Sequence, residues 1–140
     1  MMLVERVLLH EGNETECTVD VRTSELFAEP DGSVPGWLAL EYMAQTIAAH
    51  GALVDRAANR PTRPGVLVSS RNLQIEVDAF PPGQRLRVHV RRLRGDLGMV
   101  IFDCSVRDDA HPDRLLASAK VNVYLFDSYE AMTADYTDDH

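Results

Sequence analysis

The chain predicts an α+β fold, an antiparallel sheet of about six strands wrapped around one long central helix. Three observations carry this expectation. One long stretch, Trp37 to Ala58, is small and apolar with no break in its interior. The other apolar runs are short, and several alternate with period two between turn residues. A sheet must cover its apolar face, and only the one long segment has the length and apolar content to do so.

Taken in order, Leu3 to Leu9 is rich in apolar and β-branched residues, and Glu11-Gly12-Asn13 supplies turn chemistry. From Glu16 to Val21 the chain alternates, with Cys17, Val19 and Val21 on one face and Glu16, Thr18 and Asp20 on the other. The two runs form an antiparallel hairpin. Thr23 to Val34 reads as a loop around Pro30-Asp31-Gly32-Ser33. Ser33 is the expected cap of the long helix, with Pro35 in its first turn, where a missing N–H costs nothing. The helix carries Ala39, Ala44, Ala48, Ala49, Gly51 and Ala52, and a helix apolar nearly all round belongs in an interior. Charge returns at Asp55-Arg56, before Asn59-Arg60-Pro61.

Val66 to Val77 is the next strand, and Phe80-Pro81-Pro82-Gly83 turns the chain. Leu86, Val88 and Val90 then alternate against Arg85, Arg87, His89 and Arg91. Gly95 to Gly98 leads into Met99 to Val106, and Asp108 to Asp113 leads into Leu115 to Phe126. The order is two strands, one helix and four strands, which is the hot-dog arrangement. Residues 1–126 make a single domain. Residues 127–140, with five acidic side chains, read as a solvated tail.

Composition excludes several functions. The chain has 140 residues, 45% of them hydrophobic, enough for one domain with a real core. Its 14 Lys and Arg against 22 Asp and Glu give a net charge of −8. Such a balance argues against nucleic acid, whose binding needs a basic footprint, and against anionic membrane surfaces. No apolar run approaches the roughly 18 residues that span a bilayer, and the N-terminus lacks a signal arrangement, so the cytoplasm is expected. Cys17 and Cys104 read as buried free thiols. No metal-ligand spacing occurs, and no metal or organic cofactor is expected.

The run Val34-Pro35-Gly36-Trp37-Leu38-Ala39-Leu40-Glu41-Tyr42-Met43-Ala44-Gln45 resembles the central-helix signature of bacterial β-hydroxyacyl-acyl-carrier-protein dehydratases. Met2 to Val7 is similar to their first strand, and Pro81-Pro82-Gly83-Gln84, leading to Leu86, to their turn into a later strand. The resemblance spans nearly the whole chain. Glu41 to Ala49 is most similar to the branch associated with aryl polyene pigment clusters. The resemblance implies dehydration of a 3-hydroxyacyl thioester to the 2-enoyl thioester in fatty acid-like or aryl polyene biosynthesis. It also implies an acyl carrier protein as partner. Pairing edge to edge is implied too, as a homodimer or with a homologous hot-dog protein.

Glu41 is the candidate catalytic acid. At about 100° per residue it lies near Trp37, Ala44 and Ala48, at the edge of the apolar band. Partial desolvation there would suit it to proton transfer, against the pull of the helix macrodipole. A solvated or capping glutamate is the alternative. Gly36 permits close approach of a carbonyl, and the resemblance gives its amide the task of polarising the thioester. A glycine needed only for the turn is the other reading. Gln45, one turn on, either orients Glu41 or packs the helix. Trp37, Pro35 and Phe27 complete the candidate substrate-binding set.

One departure stands out. The resembled enzymes pair the helix acid with a histidine 14 residues ahead, and that position is Phe27. His50 falls half a turn round from Glu41, which suits packing or an interface. His89 alternates outward with the arginines, His111 and His140 lie in a polar turn and the tail, and His10 ends the first strand. Three readings follow: a dehydratase with unconventional help, a thioesterase whose lone acid activates water, or a non-catalytic or half-site partner of a homologous dehydratase. Arg85, Arg87, Arg91, Arg92, Arg94 and Arg71 concentrate positive charge, either to dock an acidic carrier protein or as solvated strand faces. Ala48 to Ala52 leaves room for an acyl tunnel or for close packing.

Overall fold

Alternation in the sequence becomes alternation in burial. In the computed structural model, which describes residues 3–96 and 98–126, β1 (Arg6–Glu11) and β2 (Glu14–Asp20) form the first hairpin. A 3-10 segment, Val21–Phe27, and a two-residue strand, β3 (Val34–Pro35), lead to α1 (Leu38–Ala57). Then follow β4 (Gly65–Ile75), the short β5 (Ala79–Phe80), β6 (Arg85–Asp96), β7 (Met99–Asp108) and β8 (Leu115–Leu125). The main sheet is antiparallel in the order β1-β2-β6-β7-β8-β4, and β3 pairs separately with β5.

Along β7, Val100, Phe102, Cys104 and Val106 point inward, matched by Leu86, Val88 and Val90 of β6 and by Ala117, Ala119, Val121 and Val123 of β8. Helix α1 lays Leu38, Ala39, Tyr42, Met43, Thr46, Ile47 and His50 on that surface. Burial of this apolar area is the main force that holds helix to sheet. Cys17 and Cys104 are free and buried, and burial pushes the Cys104 thiol up to about 12.

Several local expectations are corrected. Ser33 does not cap α1; its N–H and Oγ both donate to Asp31 Oδ1, at 2.9 and 2.6 Å. Trp37 holds the N-cap position with no side-chain cap bond. Pro35 lies in β3, paired with Ala79, because the chain must run extended before it can turn into the helix. Part of the expected loop is the 3-10 segment, which Ser24 anchors through a buried 2.7 Å hydrogen bond to the Tyr42 hydroxyl.

The helix is not enclosed all round. Trp37 is 58% exposed, and Glu41 and Ala48 are exposed on the same side. The apolar composition of that stripe is therefore not used by the chain itself. At one edge of the sheet β4 likewise exposes Val66, Leu67, Val68 and Leu73, and at the other β1 exposes Val7 and Leu8. Among the described residues no helix is long and apolar enough to cross a membrane, and no cluster could hold a metal ion. The expected acidic tail lies outside the described residues.

Candidate active site

The site begins where β3 ends. Gly36 N–H donates to Asp78 O at 2.9 Å, which extends the β3–β5 pairing by one residue. A Cβ at Gly36 would lie 2.4 Å from Val77 O and 3.0 Å from Ile75 Cγ2. This glycine is required because backbone passes against backbone, which supports the turn reading. Its amide is engaged, contrary to an oxyanion donor in this geometry. The first turn of α1 offers replacements, since a helix start leaves N–H groups without intrahelical acceptors. Bonding resumes with Ala39 N–H to Gly36 O and Leu40 N–H to Trp37 O, so the Trp37 and Leu38 amides have no backbone acceptor among the described residues.

Glu41 stands exposed one turn further, where partial burial was expected. Gln45, four residues on, donates from Nε2 to Glu41 Oε1 at 3.3 Å. The same carboxamide accepts at Oε1 from the Leu3 and Val4 amides, at 2.7 and 3.2 Å. Two backbone donors thus fix which end of the amide faces the acid. Gln45 thus bridges the chain's N-terminal segment and Glu41, a geometry compatible with the orienting role its spacing suggested.

Phe27 stacks edge-on against Trp37, with ring centroids 6.0 Å apart. With Leu26 they form an exposed apolar wall beside the helix start. Phe27 therefore sits near the site, but as an aromatic surface and not as a base. Pro35, half-buried in β3, supports the turn behind this wall. On the other side, a cavity of about 350 Å³ runs along the stripe of α1 that carries Glu41. Ala44, Ala48 and Gly51 line it from the helix, and Gly65, Leu67 and Val123 from the sheet. The small residues in the helix leave space there.

The far end of that cavity is walled by Thr62, Arg63 and Pro64, held by a group the sequence did not single out. Asp55 is 1% exposed and binds Arg60 at 2.7 Å and the backbone and guanidinium of Arg63 at 2.8 and 3.0 Å. Burial pushes its carboxyl up, but these donors outweigh it and hold Asp55 below its ordinary value. The signal was faint: one acid in the last turn followed by two arginines.

No described histidine joins Glu41. His50 is buried on the opposite face of α1, as its spacing predicts. Its Nδ1 meets Thr15 Oγ1 at 2.8 Å, and the same hydroxyl meets His10 Nδ1 at 2.8 Å. Burial, then neighbouring His10 and Arg92, hold His50 below its ordinary value. His89 faces Glu14 at 3.7 Å, and His111 occupies the β7–β8 turn. The arginines are mostly paired: Arg85 with Glu5, Arg87 with Asp109 at 2.6 Å, and Arg91 with Asp103.

Comparison with known proteins fits this geometry. The chain is similar to the solved dehydratase heterocomplex ApeI:P from Xenorhabdus doucetiae, at 24% identity and TM-score 0.85 over 95% of this chain and 88% of that one. It is also similar to AziG from S. sahachiroi (16%, TM-score 0.64, 88% and 90%). A third likeness is to a hypothetical thioesterase with coenzyme A from Streptococcus pneumoniae (12%, TM-score 0.66, 86% of each chain). These likenesses establish the shared fold. No curated protein matches the sequence. The sequence model of one family, described as ApeP dehydratase, matches residues 1–134, and the chain belongs to this ApeP-like dehydratase family.

Proposed function

We propose that the chain dehydrates a 3-hydroxyacyl thioester, delivered on an acyl carrier protein, and does so as one half of a two-chain site. The carrying observation is Glu41: an oriented acid on an open stripe of α1, beside an apolar cavity, with an aromatic residue where a base would stand. Gln45 donates to Oε1, which leaves the other carboxyl oxygen to handle a proton. In the proposed step a base takes a proton from C2 of the acyl group. Glu41 gives its proton to the C3 hydroxyl, which departs as water, and the C2–C3 double bond forms. The Trp37 and Leu38 amides suit the thioester oxygen as negative charge builds on it.

The base is the missing part. We assign it to a homologous hot-dog chain docked along β4, whose apolar edge and neighbouring helix stripe are open in this chain. A heterocomplex among the similar structures supports this choice. The acyl group fits the cavity lined by Ala44, Ala48 and Gly51. An aryl polyene precursor is one such group, and the pigment-cluster branch is the proposed setting.

A thioesterase is the second reading, favoured by the lone acid and by the likeness to a solved hypothetical thioesterase. The two separate by product. Incubation of the chain and its homologous partner with a 3-hydroxyacyl carrier thioester should give an enoyl thioester lighter by one water, and Glu41→Gln should lose at least 100-fold in rate, within the range for a missing proton-transfer group. Free acid and free thiol would contradict dehydration.

A further inference from the structure

Three cations have no acidic partner among the described residues and share one place. Arg71 of β4, Arg94 of β6 and Lys120 of β8 line a recess of about 290 Å³ on the sheet face away from α1, together with Leu93 and Ile101. Seven of the other arginines lie within 4 Å of a carboxylate. The nearest acid by register, Asp103 opposite Lys120, faces Arg91 at 3.9 Å. In a chain of net charge −8, unpaired cations gathered in one recess are unusual.

The backbone is shaped to gather them. Neighbours along a regular strand point to opposite faces, yet Leu93 and Arg94 both line the recess. A bulge in β6 between Arg92 and Arg94 makes that possible. On the other side β4 is irregular between Arg71 and Gln74, with Asn72 at φ 54. Bulges re-aim side chains in this way. The recess also has the wrong character for a small anion. It is far roomier than a phosphate needs, and Leu93, 41% exposed, and Ile101 place apolar side chains among the cations.

We propose that this recess docks the acidic face of a partner protein. An apolar side chain of the partner enters over Leu93 and Ile101, and flanking carboxylates meet Arg71, Arg94 and Lys120. Identifying that partner as the carrier protein rests on the carrier-linked substrate proposed for Glu41. The docking surface differs from Arg85, Arg87 and Arg91, whose charges are already answered within the chain.

Binding of an acidic acyl carrier protein to the full chain, by calorimetry at low and high salt, tests this. Arg94→Glu and Lys120→Glu should each weaken binding by about tenfold at low salt and less at high salt, as screened charge pairs do. Arg71→Glu should act alike, while Arg87→Glu and Arg91→Glu should change affinity little. Unchanged thermal melting would rule out misfolding, and Arg94 and Lys120 lie off the β4 edge. Turnover of a pantetheine thioester free of carrier, with the homologous partner chain present, should stay the same in Arg94→Glu, which separates docking from chemistry. The proposal is overturned if no carrier binds at low salt, if the reversals leave affinity intact, or if inorganic phosphate occupies the recess and displaces nothing.

Discussion

The carboxamide of Gln45 commits its oxygen to the Leu3 and Val4 amides and turns its nitrogen to Glu41. Gln45→Leu keeps the bulk but removes both links. It should lower kcat by about 10-fold, within the usual reach of oriented proton transfer, and shift the pH profile of kcat/KM. A packing role would move only stability. Gly36→Ala should destabilise by about 1–3 kcal/mol, because its Cβ meets Val77 O and neither backbone can yield freely. Chemical denaturation reads that change. The Glu41–Gln45 pair was legible as an acid and an amide one turn apart. The engaged Gly36 amide was not, since a two-residue pairing between β3 and β5 leaves no periodicity in either segment.

Single elements show where pattern reading succeeds and where it stops. Alternation identified β6 and β7 because one face of each is buried and the other is not, and it identified β2 although Thr18, read as outward-facing, is buried there. An all-round apolar helix was expected to be wholly enclosed, yet the stripe from Trp37 to Ala48 is open. Composition reports that a face is apolar and not which chain covers it. The strand arginines gave the same difficulty. Their acidic partners just ahead of β1, on β2 and β7 and in the β7–β8 turn are set by register, and the bulges that gather Arg71, Arg94 and Lys120 have no signature in a charge count. On β4, Val68→Lys places a charge on the exposed apolar edge. It should abolish pairing with a second hot-dog chain, read by light scattering, and leave the melting of the single chain nearly unchanged. Asp55→Ala should cost roughly 2 kcal/mol, since it leaves Arg60 and Arg63 without their anion and frees the segment that ends the cavity.

Across the whole molecule, pH couples to folding through the face of α1 opposite Glu41. Burial keeps His50 neutral in the folded chain, with His10 and Arg92 adding to the effect. The unfolded chain binds that proton near the ordinary value of 6.5, so below it the unfolded state gains a proton that the fold resists. Stability should therefore fall as pH drops below about 6.5, until the lower folded value is passed. Melting temperatures from pH 7.5 to 5 should decline, and less steeply in His50→Gln. A flat profile would contradict the buried neutral imidazole.

In the proposed site Glu41 works with a base that a second, homologous chain supplies. Titrating such a partner into this chain, with a 3-hydroxyacyl carrier thioester and mass spectrometry of the acyl group, tests it most directly. Water loss should be negligible for the chain alone, saturate at one partner per chain, and disappear in Glu41→Gln. Equal turnover by the chain alone, or turnover in the mixture that survives Glu41→Gln, would contradict it.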